Sequence, residues 1–173
     1  MAVTAQIPIG EYLHTSYRPD CDYIDGEVVE RHVGKTDHAR IQALLALWFG
    51  MHEQEWHILV TTEHRMRVSE TRVRIPDVTL VRPGALTEDV LTHPPLCCIE
   101  ILSPEDSYSQ IREKCRDYRL MGVENIWLID PSTRSGQAAI PQGWQDTLEF
   151  GIPETPIRLS LEDLFARLDR SLA

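Results

Sequence analysis

The chain has 173 residues, 42% hydrophobic and 25% charged, a composition that suits one globular domain with a core of its own. Its formal charge of −10 argues against nonspecific coating of nucleic acid, which relies on many lysines and arginines displacing counterions, but leaves room for a local or metal-bridged phosphate contact. No apolar run approaches the roughly 18 residues of a membrane span, and MAVTAQIPIGEYLHTSYRPD lacks the basic-then-apolar profile of a signal peptide, so a cytoplasmic protein without membrane contact is expected.

The expected arrangement is a single domain over 1–173, with 1–20 as a tail or loosely packed segment. YIDGEVVER (23–31) places an Asp25-Gly26 turn between extended flanks, which reads as a short hairpin or bent strand. Thr36 is the expected cap of a helix running to about residue 54, with Ile41, Leu44, Leu45 and Trp48 as its buried stripe. WHILVTTEHRMRV (56–68) and TRVRIPDVTLV (71–81) are β-rich and separated by a Ser69-Glu70 turn, the pattern of an antiparallel hairpin.

LCCIEIL (96–102) is a strand apolar on both faces except at Glu100, as expected for a central strand covered on each side. SPEDS then leads into a helix over 107–121, stopped by Gly122 as a left-handed cap. NIWLIDP (125–131) is the next strand, and its connection through that helix predicts a parallel pair within a mixed sheet. A hairpin near 137–151 and a terminal helix, SLEDLFARLD with Ser160 and Asp163 as a capping box, complete an α/β chain. Cys21, Cys97, Cys98 and Cys115 form no CxxC pair and read as reduced core residues.

Two carboxylates break the pattern of their strands. Asp77 follows Pro76, a residue that cannot donate to a ladder and favours edges or bulges. Glu100 sits within a buried strand, where an ionised, unpaired carboxylate would cost several kcal/mol, so it needs a cation or a proton. Arg65, Arg67 or Arg74 of the neighbouring hairpin could supply the cation without any catalytic role. Lys114 is the third candidate: Ile111, Cys115 and Tyr118 define the core stripe of its helix, Lys114 lies at the border, and Arg112, Arg116 and Arg119 project outward. Rise per residue puts Lys114 at a similar height to Glu100, although a border lysine also suits a solvated, snorkelling position.

In order, YIDGEVVE, His38 at the opening of a helix, RIPDVTLV, IEILSPEDS, REKCRDYRLMGVENIWLIDP and IRLSLEDLF resemble the bacterial restriction endonuclease family within the PD-(D/E)XK nuclease superfamily, over nearly the whole chain. The resemblance implies a restriction endonuclease-like core, a central mixed sheet flanked by helices, and magnesium- or manganese-dependent hydrolysis of DNA phosphodiesters. It implies that Asp77 and Glu100 hold the metal, and many related nucleases pair as homodimers. The superfamily pattern places a lysine two residues beyond the strand glutamate, and here that residue is Leu102. The resemblance to lineages with a migrated lysine makes Lys114 the replacement.

Glu27 and His38 match recurring positions near the N-terminus, where they would complete the metal shell, orient water or grip phosphate. A turn carboxylate and a helix-start histidine are their bland counterparts. Glu63 suits either a metal-side acid or, preferably, an ion pair with Arg65 or Arg67. The remaining histidines show no zinc-like spacing. The rival to a nuclease is a noncatalytic binding or assembly module that keeps the fold, favoured by the acidic charge and by Leu102.

Overall fold

A computed structural model describes residues 6–32 and 34–172, with side chains described through Arg170. The chain opens with α1 (Ile9–Leu13), then the hairpin β1 (Asp22–Ile24) and β2 (Glu27–Val29). Asp25 and Gly26 both take positive φ, 50° and 103°, which gives the tight turn whose twist matches the flanking strands. The expectation of a loose segment at 1–20 does not describe residues 6–20. Tyr12 is fully buried against Tyr23 and Val73, and its hydroxyl donates to the carbonyl of Cys21, so an aromatic anchor ties this segment down.

Next come α2 (Thr36–Met51) and the short α3 (Glu53–Trp56). Thr36 is the first helical residue rather than the cap, which falls on Lys35 without a side-chain hydrogen bond. The buried stripe contains Ile41, Leu44, Leu45 and also Phe49, while Trp48 is only half-buried.

The predicted long hairpin exists, but it is broken across two sheets. Its outer segments, β3 (Leu59–Thr62) and β6 (Val78–Val81), pair in one sheet, and its tip, β4 (Met66–Ser69) with β5 (Arg72–Arg74), pairs in another. The break falls where Glu63 takes φ 51° on one side and Pro76 interrupts the ladder on the other.

Strand β7 (Cys97–Ile101), helix α4 (Tyr108–Met121) and strand β8 (Asn125–Asp130) form the expected crossover, with β7 and β8 parallel. Ser107 and Gln110 close a capping box at the start of α4, and Gly122 ends it at φ 107°. The hairpin β9 (Ser135–Ile140) and β10 (Gly143–Thr147) extends a six-stranded sheet of order β10-β9-β8-β7-β6-β3. The chain ends with the pair β11 (Glu149–Gly151) and β12 (Arg158–Ser160) and helix α5 (Leu161–Leu172), where Ser160 Oγ accepts from the Asp163 amide.

Strand alternation divides the core. Cys97, Ile99, Ile101 and Trp127 join α2 and α5 on one face; Cys98, Leu102, Ile126 and Leu128 join Ile111, Cys115 and Tyr118 of α4 on the other. Adjacent Cys97 and Cys98 therefore serve opposite faces, and all four cysteines are buried free thiols. Among the described residues no helix is long and apolar enough to cross a membrane.

Candidate metal and active site

In the antiparallel ladder Val78 faces Ile99 and Thr79 faces Cys98, so one further step puts Asp77 opposite Glu100 on the α4 side. Like charges at opposed positions repel unless cations or protons intervene. Asp77 and Glu100 are 4% and 1% exposed, and both line a cavity of about 220 Å³ between the sheet, α4 and the β1–β2 hairpin. Such burial of two acids can persist only with full compensation.

Lys114 supplies part of it. Its Nζ donates to Glu100 Oε2 at 2.9 Å and to the Ile75 carbonyl at 2.7 Å, while Tyr118 Oη donates to Glu100 Oε1 at 2.5 Å. Lys114 is buried, not a snorkelling border residue, because an acid lies within reach beneath the helix. None of the arginines considered for Glu100 reaches it: Arg65 binds Asp20, Arg67 binds main-chain carbonyls, and Arg74 binds Asp22 and Asp117.

Asp77 is held by a different set. Arg31 Nη2 donates to Oδ1 at 2.9 Å, while Oδ2 accepts from the Ile101 amide at 2.8 Å and lies 3.2 Å from His38 Nε2. The first turn of α2 aims the His38 ring inward, and Gly34 leaves it space, since a Cβ there would lie 2.3 Å from Nδ1. Gln42, one turn further along α2, donates to the Asp77 carbonyl at 3.0 Å.

The two acids titrate in opposite directions. Burial pushes Glu100 up to about 7, with Asp77 adding to the rise and Lys114 and Tyr118 opposing it. Burial also works against the charge of Asp77, but the His38 hydrogen bond and the positive charges of Lys114, His38 and Arg31 hold its carboxyl below the usual range. Burial opposes the charge of Lys114, yet Glu100 raises it and the amine stays protonated. His38 is raised as well: burial opposes its charge, but the hydrogen bond to Asp77 and the negative charges of Asp77 and Glu100 together outweigh that cost.

The other named positions separate. Glu63 stands exposed at the rim, 3.8 Å from Arg31 Nη1, and does not pair with Arg65 or Arg67. Glu27 is exposed at the end of the β1–β2 turn, opposite Ile24 and outside the cavity; the hairpin turns it outward and places Glu30 and Arg31 at the wall instead. Arg31 and Asp22 escaped the sequence reading, which gives Tyr118 only as part of the core stripe of its helix, not as a partner of Glu100. An Asp-Gly turn followed by alternating residues was the available signal for Arg31, but which face met the sheet depended on docking of the hairpin. Asp22 accepts from the Ile75 amide at 3.0 Å and from Arg74 at 3.1 Å, which anchors the wall of the cavity.

Among the described residues no group of three or more His, Cys, Asp and Glu is arranged to hold a metal ion. Asp77 and Glu100 alone could do so for a hard cation that keeps several waters, because magnesium commonly takes one or two protein carboxylates and fills its shell with water and substrate oxygens. Their oxygen-only chemistry disfavours zinc.

The sequence model of the Uma2 family, described as "Putative restriction endonuclease", matches residues 10–172. The chain belongs to the Uma2 family. Its fold is restriction endonuclease-like, as the sequence resemblance implied. The crystal structure of a "putative nuclease belonging to DUF820" from Anabaena variabilis ATCC 29413 superposes with a TM-score of 0.80 at 21% identity, over 94% of this chain and 99% of that one. The cryoEM structure of a DrdV-DNA complex overlaps with a TM-score of 0.41 at 18% identity, over 76% of this chain and 10% of that one, a likeness too slight to carry an argument. Among curated proteins none matches this Uma2 chain.

Proposed function

We propose that this Uma2 chain is a magnesium- or manganese-dependent endodeoxyribonuclease, with Asp77 and Glu100 as metal ligands and Lys114 as the catalytic cation. The observation that carries the reading is the placement of the Lys114 ammonium on Glu100, 2.9 Å away, at a cavity that Asp77 also lines. A divalent ion held there would polarise the scissile phosphate and lower the pKa of a bound water. Lys114 would stabilise charge developing on the phosphate oxygens, an interaction strengthened by its dry surroundings. Arg31 and His38 orient Asp77, and Tyr118 orients Glu100. Glu63 and Glu27 have supporting roles in this reading only if substrate draws the rim inward.

The reading extends to a cytoplasmic protein that acts on DNA, with a homodimer supplying the second site wherever both strands are cut together. A noncatalytic module with the same fold is the second reading. It is favoured by internal partners on both acids, Arg31 and His38 on Asp77 and Lys114 and Tyr118 on Glu100. Supercoiled plasmid titrated with magnesium separates the two. The native protein should nick or linearise it, and Asp77→Ala should not; intact plasmid at every magnesium concentration, with no metal-induced stabilisation, favours the noncatalytic module.

A further inference from the structure

A second cavity, of about 420 Å³, opens beside the carboxylates at the ends of β7 and β8 and shares His38, Ser103 and Asp106 with the first. Its size falls within the roughly 300–1,000 Å³ typical of pockets for small ligands. We propose that this chamber receives an unpaired nucleobase next to the scissile phosphate, so that the preferred substrate is single-stranded DNA or DNA with an extruded base. The inference rests on the nuclease reading above for the position of that phosphate.

The walls are apolar and ring-like: Leu102, Pro104, Pro131 and the half-exposed ring of Tyr108. Proline and tyrosine faces accept a stacked heterocycle of any sequence. Charge decides which part of a nucleotide enters. Asp37, Asp106 and Asp130 line the chamber with Lys35 and His38, but Lys35 is paired with Glu105 and His38 with Asp77, so the acids dominate and disfavour a phosphate more than an uncharged base.

One edge of the chamber also offers a spare acceptor. Asp130 Oδ1 is taken by the Ser132 amide, the Ser132 hydroxyl and the Thr133 amide, whereas Oδ2 has, among the described residues, only a long 3.4 Å contact from Tyr108 Oη. An ionised carboxylate oxygen in that position accepts a hydrogen bond from an exocyclic amino group. Adenine, cytosine and guanine carry such a group and thymine does not.

The test uses the full chain and labelled oligonucleotides that are single-stranded, duplex, or single-stranded with one abasic site, with binding followed in calcium and cleavage in magnesium. Intact single strands should bind about tenfold more tightly than abasic ones, with oligo-dC or oligo-dA ahead of oligo-dT. Tyr108→Ala should erase the intact-over-abasic difference while the shift in melting temperature caused by magnesium persists. Cleavage of intact, abasic and duplex DNA at equal rates would overturn the base pocket and leave the nuclease reading standing. Base-selective binding without any cleavage would retain the pocket and sink the nuclease reading, while absence of both would overturn the two together.

Discussion

Lys114 Nζ joins β7 to the segment between β5 and β6, donating to the side chain of Glu100 on β7 and to the main-chain carbonyl of Ile75 just ahead of Asp77. The ammonium is thus held where the ladder of β6 begins, with its position set by backbone as well as by charge. Removal of one partner from such a buried pair commonly costs about 3–5 kcal/mol. Here Glu100 has the alternative of remaining protonated, since burial already raises it to about 7.

Lys114→Met should therefore destabilise the fold by less than an unpaired ionised glutamate would, and its cost should overlap with that of Glu100→Gln. The double variant should show a coupling on the order of 0.5–3 kcal/mol in a denaturant-unfolding cycle. Strict additivity would show that the pair does not act as a unit. In the plasmid assay Lys114→Met should lower the cleavage rate by roughly 10²- to 10³-fold, the scale of losing one aimed electrostatic contact.

Tyr118→Phe removes the hydroxyl that donates to Glu100 Oε1 at 2.5 Å. A hydrogen bond to a charged group contributes about 1.5–3 kcal/mol, so its loss should raise Glu100 further and move the acid limb of the rate profile to higher pH. A packing role alone predicts an unchanged profile with a lower melting temperature, so the profile is the deciding measurement.

Arg31 competes with a metal for Asp77 Oδ1, where it stands at 2.9 Å. Arg31→Ala should lower stability without metal yet enlarge the upward melting shift caused by magnesium or manganese, because the ion then relieves a less compensated charge. A ligand at a hundredfold excess over its Kd adds about 2.7 kcal/mol to stability. Asp77→Ala and Glu100→Ala should abolish most of the shift, and calcium should stabilise without supporting cleavage. Equal shifts for native and Arg31→Ala protein would show that the guanidinium does not compete.

In metal-free buffer, stability should decline as pH rises from about 4.5 to about 7, the interval between the ordinary and folded values of Glu100. The folded state holds the proton more tightly across that interval, so deprotonation favours the unfolded chain. His38, also raised, contributes stability that is present below its ordinary value and lost as pH climbs through its folded one. Asp77 runs the other way: its contribution is present above its ordinary value and is lost as acid reaches its depressed one. Melting curves from pH 5 to 8 should slope downward for the native protein and more gently for Glu100→Gln. A native curve no steeper than that of Glu100→Gln would show that Glu100 is ionised throughout.

The sequence by itself determined the elements whose signals are local. The Asp25-Gly26 turn needs positive φ at adjacent residues, Ser107 and Gly122 bracket α4 through capping chemistry, and a helix between two buried runs dictates the parallel β7–β8 pair. Asp77 and Glu100 stood out for a local reason too, as acids in strands that otherwise read as buried.

Only the tertiary structure decided which groups meet those acids. The kink between Glu63 and Pro76 splits one sequence hairpin between two sheets, and that division carries Arg65 and Arg74 away from Glu100 to Asp20 and Asp22. Docking of the first hairpin turns Arg31 inward and Glu27 outward, and packing of α4 buries Lys114 and Tyr118 against Glu100. Periodicity specifies the faces of isolated elements, whereas charge partners depend on how separate elements pack, where burial makes each unpaired polar group costly.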